Sequence, residues 1–276
     1  LVSHNRGRKP KNLWSERGTG DQVVVMECRD EHEEARLVSE EIVKTLRERP
    51  ASDVAVFYRV NAQSRVLEDM LVRQGIGYRV IGGTKFYQRA EIKDLLAYLR
   101  VMVNETDDLS LLRVVNTPRR GLGDIAVGRL QGYAREQGIP LREALVQAAE
   151  VPGLTSGAAA ACVRLGEGFV CWAEAAGVTE AAPDSDAADP EAGRADQRVP
   201  VADVVSRVLD ESGLIEALKA ERTLEAEGRI ENLEEFVSVA AEFDRMNPDG
   251  TLTDFLQEIS LYADIDSLEE GQPVIT

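Results

Sequence analysis

This 276-residue sequence has little of what disulfide-bonded, metal-binding and membrane proteins require. Its three cysteines lie far apart, none with CxxC spacing, and it has two histidines. Neither a disulfide framework nor a metal site is therefore expected. Its longest apolar stretches fall short of the roughly 20 residues that a membrane helix needs, which excludes a transmembrane segment. We expect a cytoplasmic protein with no membrane partner.

The sequence also lacks the phosphate-binding loop of a self-contained nucleotide site. No glycine is followed by lysine, so the pattern GxxxxGK[ST] is absent. The patterns GxSxG and HExxH and the EF-hand loop are absent as well. We therefore assign no catalytic residue and no metal ligand. The chain alone is expected to bind no cofactor and to hydrolyse no ATP, because γ-phosphate chemistry needs a lysine and a Mg²⁺ cradle.

Basic residues are scarce overall, but the deficit is uneven. The formal net charge is -17. Residues 1–136 contain 23 Lys and Arg against 20 Asp and Glu, whereas residues 137–276 contain 9 against 29. A polyanionic partner is therefore expected to contact the first half, while the second half repels phosphate.

The spacing of apolar residues changes near residue 80. Before that point, apolar runs at 21–30, 53–60 and 78–83 alternate with helical patterns, which is typical of parallel βαβ units. Asn61 is the expected cap of the second of these helices. After residue 84 the sequence predicts helices only, over 91–103, 107–115, 124–138, 140–149, 156–176, 201–220, 223–246 and 251–265. The expected fold is an α/β part followed by an all-α part.

Two segments depart from this pattern. Residues 179–198 are rich in Ala, Asp, Pro and Glu, and we expect a disordered acidic surface loop. The sequence begins without Met and ends on the β-branched run PVIT (273–276) after an acidic linker. We therefore expect a piece of a longer chain.

The densest polar cluster, YRVNAQSR (58–65), follows the second predicted strand and opens a helix. Ligands of parallel sheets bind at the carboxyl ends of strands, where helix N-termini present N–H groups to anions. Arg59, Asn61 and Arg65 add donors there. The alternative is a helix cap with solvated arginines.

A second cluster, GGTKFYQR (82–89), combines paired glycines with charge and aromatic rings. The glycines allow close approach of a ligand, Lys85 and Arg89 supply charge, and the aromatic rings offer faces for base stacking. The alternative is a hinge between domains whose aromatic residues belong to the core. We favour the core for Phe86 and ligand binding for Lys85.

The third cluster, NTPRRGLG (116–123), lies between two predicted helices. A Gly-apolar-Gly turn exposes backbone N–H groups at the start of the second helix and makes a phosphate cradle. Arg119 and Arg120 add positive charge, so the predicted contact is to the DNA backbone and insensitive to base sequence. The alternative is an ordinary helical hairpin with a glycine C-cap.

Five segments that include these clusters resemble, in the same order, the UvrD/PcrA/Rep family of superfamily 1 DNA helicases. They are KPKNLW, VFYRVNAQSR, IGGTKFYQRAEIKDLLAYLRV, LLRVVNTPRRGLG and LKAERTLEAEGRIENLEEFVS. Members of that family have two RecA-like motor domains, each with an inserted accessory domain. The resemblance implies that residues 1–80 are the first part of motor domain 2A, with a partial RecA-like parallel sheet. It implies that residues 81–268 are the helical insertion 2B and that residues 269–276 are a linker and strand returning to 2A.

The same resemblance implies a function. The chain would be part of an ATP-dependent 3′-to-5′ DNA helicase of repair or replication, with ATP and Mg²⁺ as cofactors of the full-length enzyme. Its partners would be DNA at a junction of single strand and duplex, the rest of the helicase chain, and repair or transcription proteins. The location implied is the cytoplasm, at the nucleoid.

The resemblance also assigns DNA-binding residues. VFYRVNAQSR resembles motif IV of the family, and the residues expected along the single-stranded DNA path are Arg59, Asn61, Arg65 and Lys85. RGLG resembles the GIG motif, which holds duplex DNA on domain 2B, although leucine stands where isoleucine is usual. The predicted duplex-binding residues are Thr117, Arg119, Arg120, Gly121 and Gly123.

Two functions of other classes remain open. In one, the chain is a non-catalytic module whose acidic helical half docks a repair or transcription protein. In the other, it is a duplex-binding scaffold without motor function. A TLHxAKG-like segment directly after Thr276 in the full gene would favour the helicase.

Overall fold

The structure, a computed structural model, describes residues 20–81, 83–178 and 199–265 together with Ile275, and these residues are mostly helical. Their α-helices are α1 (Glu31–Thr45), α2 (Ser64–Arg73), α3 (Ala90–Val103), α4 (Asp108–Val114), α5 (Asp124–Gln137), α6 (Leu141–Val146), α7 (Ser156–Ala175), α8 (Val201–Ser212), α9 (Leu214–Glu221), α10 (Leu224–Met246) and α11 (Leu252–Ile265). Short 3₁₀ turns occur at Ala51–Asp53, Asn61–Gln63, Phe86–Gln88 and Ala148–Glu150. The predicted disordered loop, 179–198, lies outside the described residues.

The helices after residue 84 form where the apolar spacing predicted them. Local side chains define several of their starts: the carboxylate of Asp107 accepts the backbone N–H of Ser110 at 3.0 Å and caps α4. The one expected helix over 201–220 is instead two. Gly213, at φ +81°, ends α8 and begins α9, because a left-handed residue interrupts the helical hydrogen bonds.

The expected cap of α2 is wrong. The helix begins at Ser64, after a 3₁₀ turn that starts at Asn61, so Asn61 lies too early to cap it. The side chain of Gln63 has the local role instead. Its amide oxygen accepts the backbone N–H groups of Arg59 at 3.1 Å and Val60 at 3.2 Å.

The expected parallel sheet is not confirmed. Residues 21–28 and 55–58 make no backbone hydrogen bond to any residue that the structure describes. Tyr78 forms an isolated parallel bridge with Ile275, in which Ile275 accepts from Arg79 at 2.7 Å and donates to Gly77 at 3.0 Å. A strand of a parallel sheet pairs across a connection of a dozen or more residues, so an apolar run alone does not place it in a sheet.

Two hydrophobic clusters organise the described residues. The smaller one joins α1, α2 and the loop after α2 through the buried residues Ile42, Leu71, Tyr78 and Ile275. The larger one begins at Phe86 and continues to Ile259 through α3–α11. We call the residues around the smaller cluster, 20–81 with Ile275, the first region, and residues 83–178 with 199–261 the helical body.

Candidate nucleic-acid interface

The turn between α4 and α5 has a buried anchor and an exposed backbone. Leu122 is 2% exposed and belongs to the large core, whereas Gly121 and Gly123 on either side of it are exposed. Gly121 has φ +76°, and a Cβ atom added at either glycine would meet nothing within 4 Å. The turn therefore has a fixed apolar centre and leaves open space beside its glycines.

The first turn of α5 has donors without an internal partner. Gly123 is its N-cap and supplies no side-chain hydrogen bond. Within the described part of the chain, the N–H groups of Asp124 and Ile125 have no acceptor. Such groups carry the partial positive charge of the helix N-terminus. The side chain of Asp124, in the same turn, opposes that charge.

The two adjacent arginines of the turn have different surroundings. Arg119 is exposed and makes no hydrogen bond or ion pair with another described residue. The guanidinium of Arg120 instead donates to the carbonyls of Val114 (3.0 Å), Pro118 (3.2 Å) and Ser212 (3.0 Å), and to the hydroxyl of Tyr98 (2.5 Å). Only Arg119 is thus open to an external anion without loss of an internal bond.

Thr117 is tied to the turn as well. Its peptide bond to Pro118 is cis, its hydroxyl donates to the carbonyl of Arg113 at 3.2 Å, and its own carbonyl accepts from the Tyr98 hydroxyl at 2.6 Å. Thr117 therefore holds the turn to α3 and α4.

The field around the turn is mixed. A groove of about 590 Å³ beside it is lined by Arg119 and Arg229 and also by the carboxylates of Glu91, Asp94 and Glu221. Burial raises the pKa of Asp94, although Arg113 at 2.7 Å lowers it. Nearby carboxylates weaken long-range attraction for phosphate, so a DNA contact here would be sensitive to salt.

The four predicted single-strand residues do not share one environment. Arg59 and Asn61 are exposed in the turn before α2. Lys85 is half-buried, with its Nζ 4.7 Å from the centre of the Tyr78 ring. Arg65 is 4% exposed and lies in the contact between α2 and α10. Exposure therefore separates Arg59 and Asn61 from Arg65.

Arg65 is surrounded by carboxylates. It lies 3.0 Å from Asp69, 2.5 Å from Glu235 and 3.5 Å from Glu242. Burial raises the pKa of Asp69 from its ordinary 3.8 to about 6, although Arg65 and Arg73 lower it. An arginine held by three carboxylates of its own chain is a structural tie between α2 and α10.

A second buried polar cluster links the two hydrophobic clusters. Arg89 donates to Ser64 Oγ and to Asn232 Oδ1, both at 2.7 Å. Glu68 accepts from Ser64 Oγ at 2.5 Å, from the Tyr78 hydroxyl at 3.1 Å and from the backbone N–H of Phe86 at 3.0 Å. Burial raises the pKa of Glu68, and these hydrogen bonds oppose that effect.

Sequence reasoning did not single out Glu68. The signal was present, because Glu68 is four residues after Ser64 and three before Leu71 and so shares their side of α2. A carboxylate on a buried helical face requires internal partners. Phe86, for which we favoured the core, is fully buried there.

The described ranges lack two further kinds of feature. They contain no helix long and apolar enough to cross a membrane. They also hold no group of three or more His, Cys, Asp or Glu side chains placed to bind a metal ion.

Comparison with known proteins identifies the family. The UvrD-like helicase C-terminal domain matches residues 1–151, more than half of the chain. This chain belongs to the UvrD-like helicase C-terminal domain family, which confirms the resemblance noted from its motifs.

Individual relatives match nearly the whole chain. It is 40% identical over 295 residues to the ATP-dependent DNA helicase UvrD1 of Mycobacterium tuberculosis strain H37Rv, covering 100% of this chain and 36% of that protein. It is 35% identical over 277 residues to the ATP-dependent DNA helicase PcrA of Bacillus subtilis strain 168, covering 99% and 34%. For PcrA of Staphylococcus epidermidis strain RP62A the identity is 36% over 272 residues, covering 98% and 34%. The chain thus spans about a third of the length of the curated relatives it matches.

Proposed function

We propose that this chain is part of an ATP-dependent 3′-to-5′ DNA helicase of repair or replication and that it supplies DNA contacts to that enzyme. Its membership of the family and the printed names of its relatives support the proposal. In the whole enzyme, ATP binding would close the motor domains and hydrolysis would reopen them, while this part would hold the DNA. We place the enzyme in the cytoplasm.

The domain assignment follows the change of core. We assign residues 1–80 to motor domain 2A with its partial RecA-like sheet, 81–268 to insertion 2B, and 269–276 to the return into 2A. Val80 packs against the smaller hydrophobic cluster, whereas Phe86 belongs to the larger one. This change of cluster between the two residues supports a domain boundary near residue 80. The parallel bridge of Ile275 with Tyr78 supports the return.

Residues of this chain do not fit an ATP site by themselves. No glycine is followed by lysine in the sequence, so the phosphate-binding loop GxxxxGK[ST] is absent from it. We therefore assign ATP and Mg²⁺ to the full-length enzyme and derive no step of hydrolysis from this part.

The turn between α4 and α5 is the proposed duplex-binding site. The observation that carries this is the combination of exposed Arg119 with the open backbone at Gly121 and Gly123 beside the N-terminus of α5. N–H groups and one cation placed together bind phosphate without reading bases. Thr117 and Arg120 belong to the same turn and hold its shape.

A salt-dependent titration tests this site. Fluorescence anisotropy of a short duplex should show weak binding at low salt, and Arg119→Ala should weaken it about tenfold. Loss of one phosphate contact should also lower the slope of log K against log salt by about 0.9. Arg164→Ala, which removes an exposed arginine of α7, is the matched control and should bind like the parent. Equal binding by the parent and Arg119→Ala would refute the proposed site.

For single-stranded DNA we propose Arg59, Asn61 and Lys85 as contacts and Arg65 as their structural support. Arg59 and Asn61 are exposed at the start of the segment that α2 continues, and Arg65 holds α2 against α10. Arg59→Ala with Asn61→Ala should weaken binding of an oligonucleotide without lowering the thermal midpoint. Arg65→Ala should lower the midpoint. An Arg59 and Asn61 double variant that binds single strands normally would contradict the assignment.

The second candidate function is a non-catalytic protein-interaction module. Residues 137–276 hold 9 Lys and Arg against 29 Asp and Glu, which favours a basic protein partner. If neither single strand nor duplex binds the parent chain, the proposed DNA contacts fail and this candidate is favoured for the role of the chain.

A further inference from the structure

The guanidinium of Arg120 is held by four acceptors from three parts of the helical body. Two are carbonyls of its own segment, those of Val114 and Pro118, at 3.0 and 3.2 Å. The third is the carbonyl of Ser212 at the junction of α8 and α9, at 3.0 Å. The fourth is the hydroxyl of Tyr98 on α3, at 2.5 Å. A planar guanidinium with several N–H groups in fixed directions can join such dispersed acceptors, and a lysine ammonium cannot reproduce that geometry.

Tyr98 gives this arrangement a rigid base. It is fully buried, and its ring lies 5.6 Å from the ring of Phe169 and 5.9 Å from that of Trp172. Its hydroxyl also donates to the carbonyl of Thr117 at 2.6 Å, so one oxygen connects both ends of the Thr117–Arg120 segment. Burial raises the pKa of Tyr98, with Arg120 opposing that effect, and the hydroxyl keeps its proton for Thr117.

Asn116 completes the hold from inside the turn. Its side-chain oxygen accepts the backbone N–H of Arg120 at 2.7 Å and that of Leu122 at 3.3 Å. Together with the buried side chain of Leu122, these bonds determine the path of the backbone through Gly121. Arg119 is the arginine of the turn that none of these bonds includes.

We propose that Arg120 is a positioning residue: through Tyr98 and Ser212 it holds the turn so that Arg119 and the N-terminus of α5 meet the phosphate of a DNA backbone. This inference rests on the proposed duplex-binding function. In this proposal Arg119 contacts the phosphate, and Arg120 holds the backbone of the turn in the conformation that allows that contact. All four acceptors of Arg120 are uncharged, so none of them neutralises its positive charge. That charge therefore adds to the positive electrostatic potential of the turn although the side chain stays engaged within it.

Charge-preserving substitutions distinguish contact from positioning. Arg119→Lys keeps a cation that can approach a phosphate and should bind a short duplex within about threefold of the parent. Arg120→Lys keeps the charge but loses the fork, and it should weaken binding about fivefold or more. Tyr98→Phe changes no charge and removes one buried hydroxyl, yet it should weaken binding to a similar degree.

Two further measurements separate this role from a general loss of structure. The Arg120→Lys and Tyr98→Phe double variant should bind the duplex no worse than the weaker-binding of the two single variants. The reason is that both substitutions break the same network of hydrogen bonds. Hydrogen exchange at the amides of Arg120 and Leu122 should accelerate in both single variants, while exchange in α10 and the helical circular dichroism stay as in the parent.

The outcomes are distinct. If Arg120→Lys and Tyr98→Phe bind like the parent while Arg119→Ala does not, the positioning role is overturned and the duplex-binding function stands. If Arg120→Lys binds normally and Arg120→Ala does not, Arg120 itself contacts phosphate and the inference is again overturned. If the parent chain binds no duplex at low salt, the proposed function fails and this inference fails with it.

Discussion

The first region and the helical body differ in how completely they bury their apolar residues. In the body, the largest aromatic side chains are buried together, and Phe236 on α10 is 0% exposed with its ring 5.7 Å from that of Phe255. In the first region, Phe57 is 93% exposed, and the valines at 23–25 are exposed as well. Similar residue types therefore stabilise one part and lie open in the other.

The difference shows what each kind of backbone needs. A helix makes its hydrogen bonds within its own segment, so α3–α11 need from one another only the packing of their apolar faces. An extended segment makes no such bonds alone and buries its side chains only beside other strands. In the described part of the first region, pairing is limited to the bridge between Tyr78 and Ile275.

The sharpest test of this contrast compares two phenylalanines. Phe236→Ala should lower the free energy of unfolding by about 3–5 kcal/mol, because it opens a cavity in the body's core. Phe57→Ala should change it by less than about 0.5 kcal/mol, because the ring is exposed. Urea unfolding followed by circular dichroism measures both. If Phe57→Ala lowered the free energy of unfolding by more than about 2 kcal/mol, Phe57 would be buried and not exposed, and the contrast between the two regions would fail.

The next test concerns the polar junction between the regions. Arg89→Ala should cost about 3–5 kcal/mol, because it leaves buried Glu68 and Asn232 without their cationic partner. Arg36→Ala removes an arginine of the first region whose partner Glu40 is 45% exposed, and it should cost less than about 0.5 kcal/mol. The same urea titration is the measurement. Equal losses in the two variants would mean that the junction does not tie the regions together.

Acid titration of the contact between α2 and α10 should give a smaller effect of defined sign. The folded state raises the pKa of Asp69 from 3.8 to about 6, so the fold binds this proton more tightly than the unfolded chain does. The resulting stability is complete below pH 3.8 and is lost as the pH rises through about 6, by on the order of 1 to 3 kcal/mol. Thermal unfolding between pH 4 and 7 measures this contribution.

Substitution isolates the contribution of Asp69. Asp69→Asn should flatten the fall in stability between pH 4 and 7, while Arg65 keeps Glu235 and Glu242 as partners. Asp53→Asn removes an exposed carboxylate of the same region and controls for the change in net charge. An Asp69→Asn profile that coincides with the parent's would contradict the assignment.

The smallest effects are expected at two glycines within the body. Gly121→Ala should cost about 1–2 kcal/mol, because φ is +76° there and an L residue is strained in that conformation. Gly132 lies inside α5 with open space around its Cβ position. Gly132→Ala should therefore raise the free energy of unfolding by about 0.5–1 kcal/mol, because alanine has the higher helix propensity. Thermal midpoints measure both. A gain for Gly121→Ala would mean that the turn adopts another backbone conformation.

Much of the helical body could be predicted because its signals are local. The 3.6-residue spacing of apolar side chains marked α3, α5, α7 and α10 within a few residues of their observed limits. Gly213 was harder, because a single glycine inside an apolar pattern permits either a continuous helix or two helices. The cap of α2 was misjudged because the 3₁₀ turn at Asn61–Gln63 delays the start of that helix.

The position of the candidate site in the sequence could be predicted, but the different surroundings of its two arginines could not. The turn at 116–123 was recognisable from its glycines and arginines. That Arg120 is engaged by Tyr98 and Ser212 while Arg119 is exposed required contacts between residues 22 and 92 positions apart. For the same reason Arg65, chosen as a DNA contact, lies buried against α10, 170 positions from its nearest carboxylate partner.

The sequence by itself determined the helices, the glycine turns and the uneven distribution of charge, because these depend on neighbouring residues and on composition. The tertiary structure alone decided which of two adjacent arginines is exposed, which carboxylates are buried, and which extended segment finds a partner. The physical reason is that these outcomes depend on contacts between residues distant in sequence, such as Arg120 with Ser212, Arg65 with Glu235 and Tyr78 with Ile275. Two arginines that are equivalent by type thus become different once the body of helices surrounds one of them.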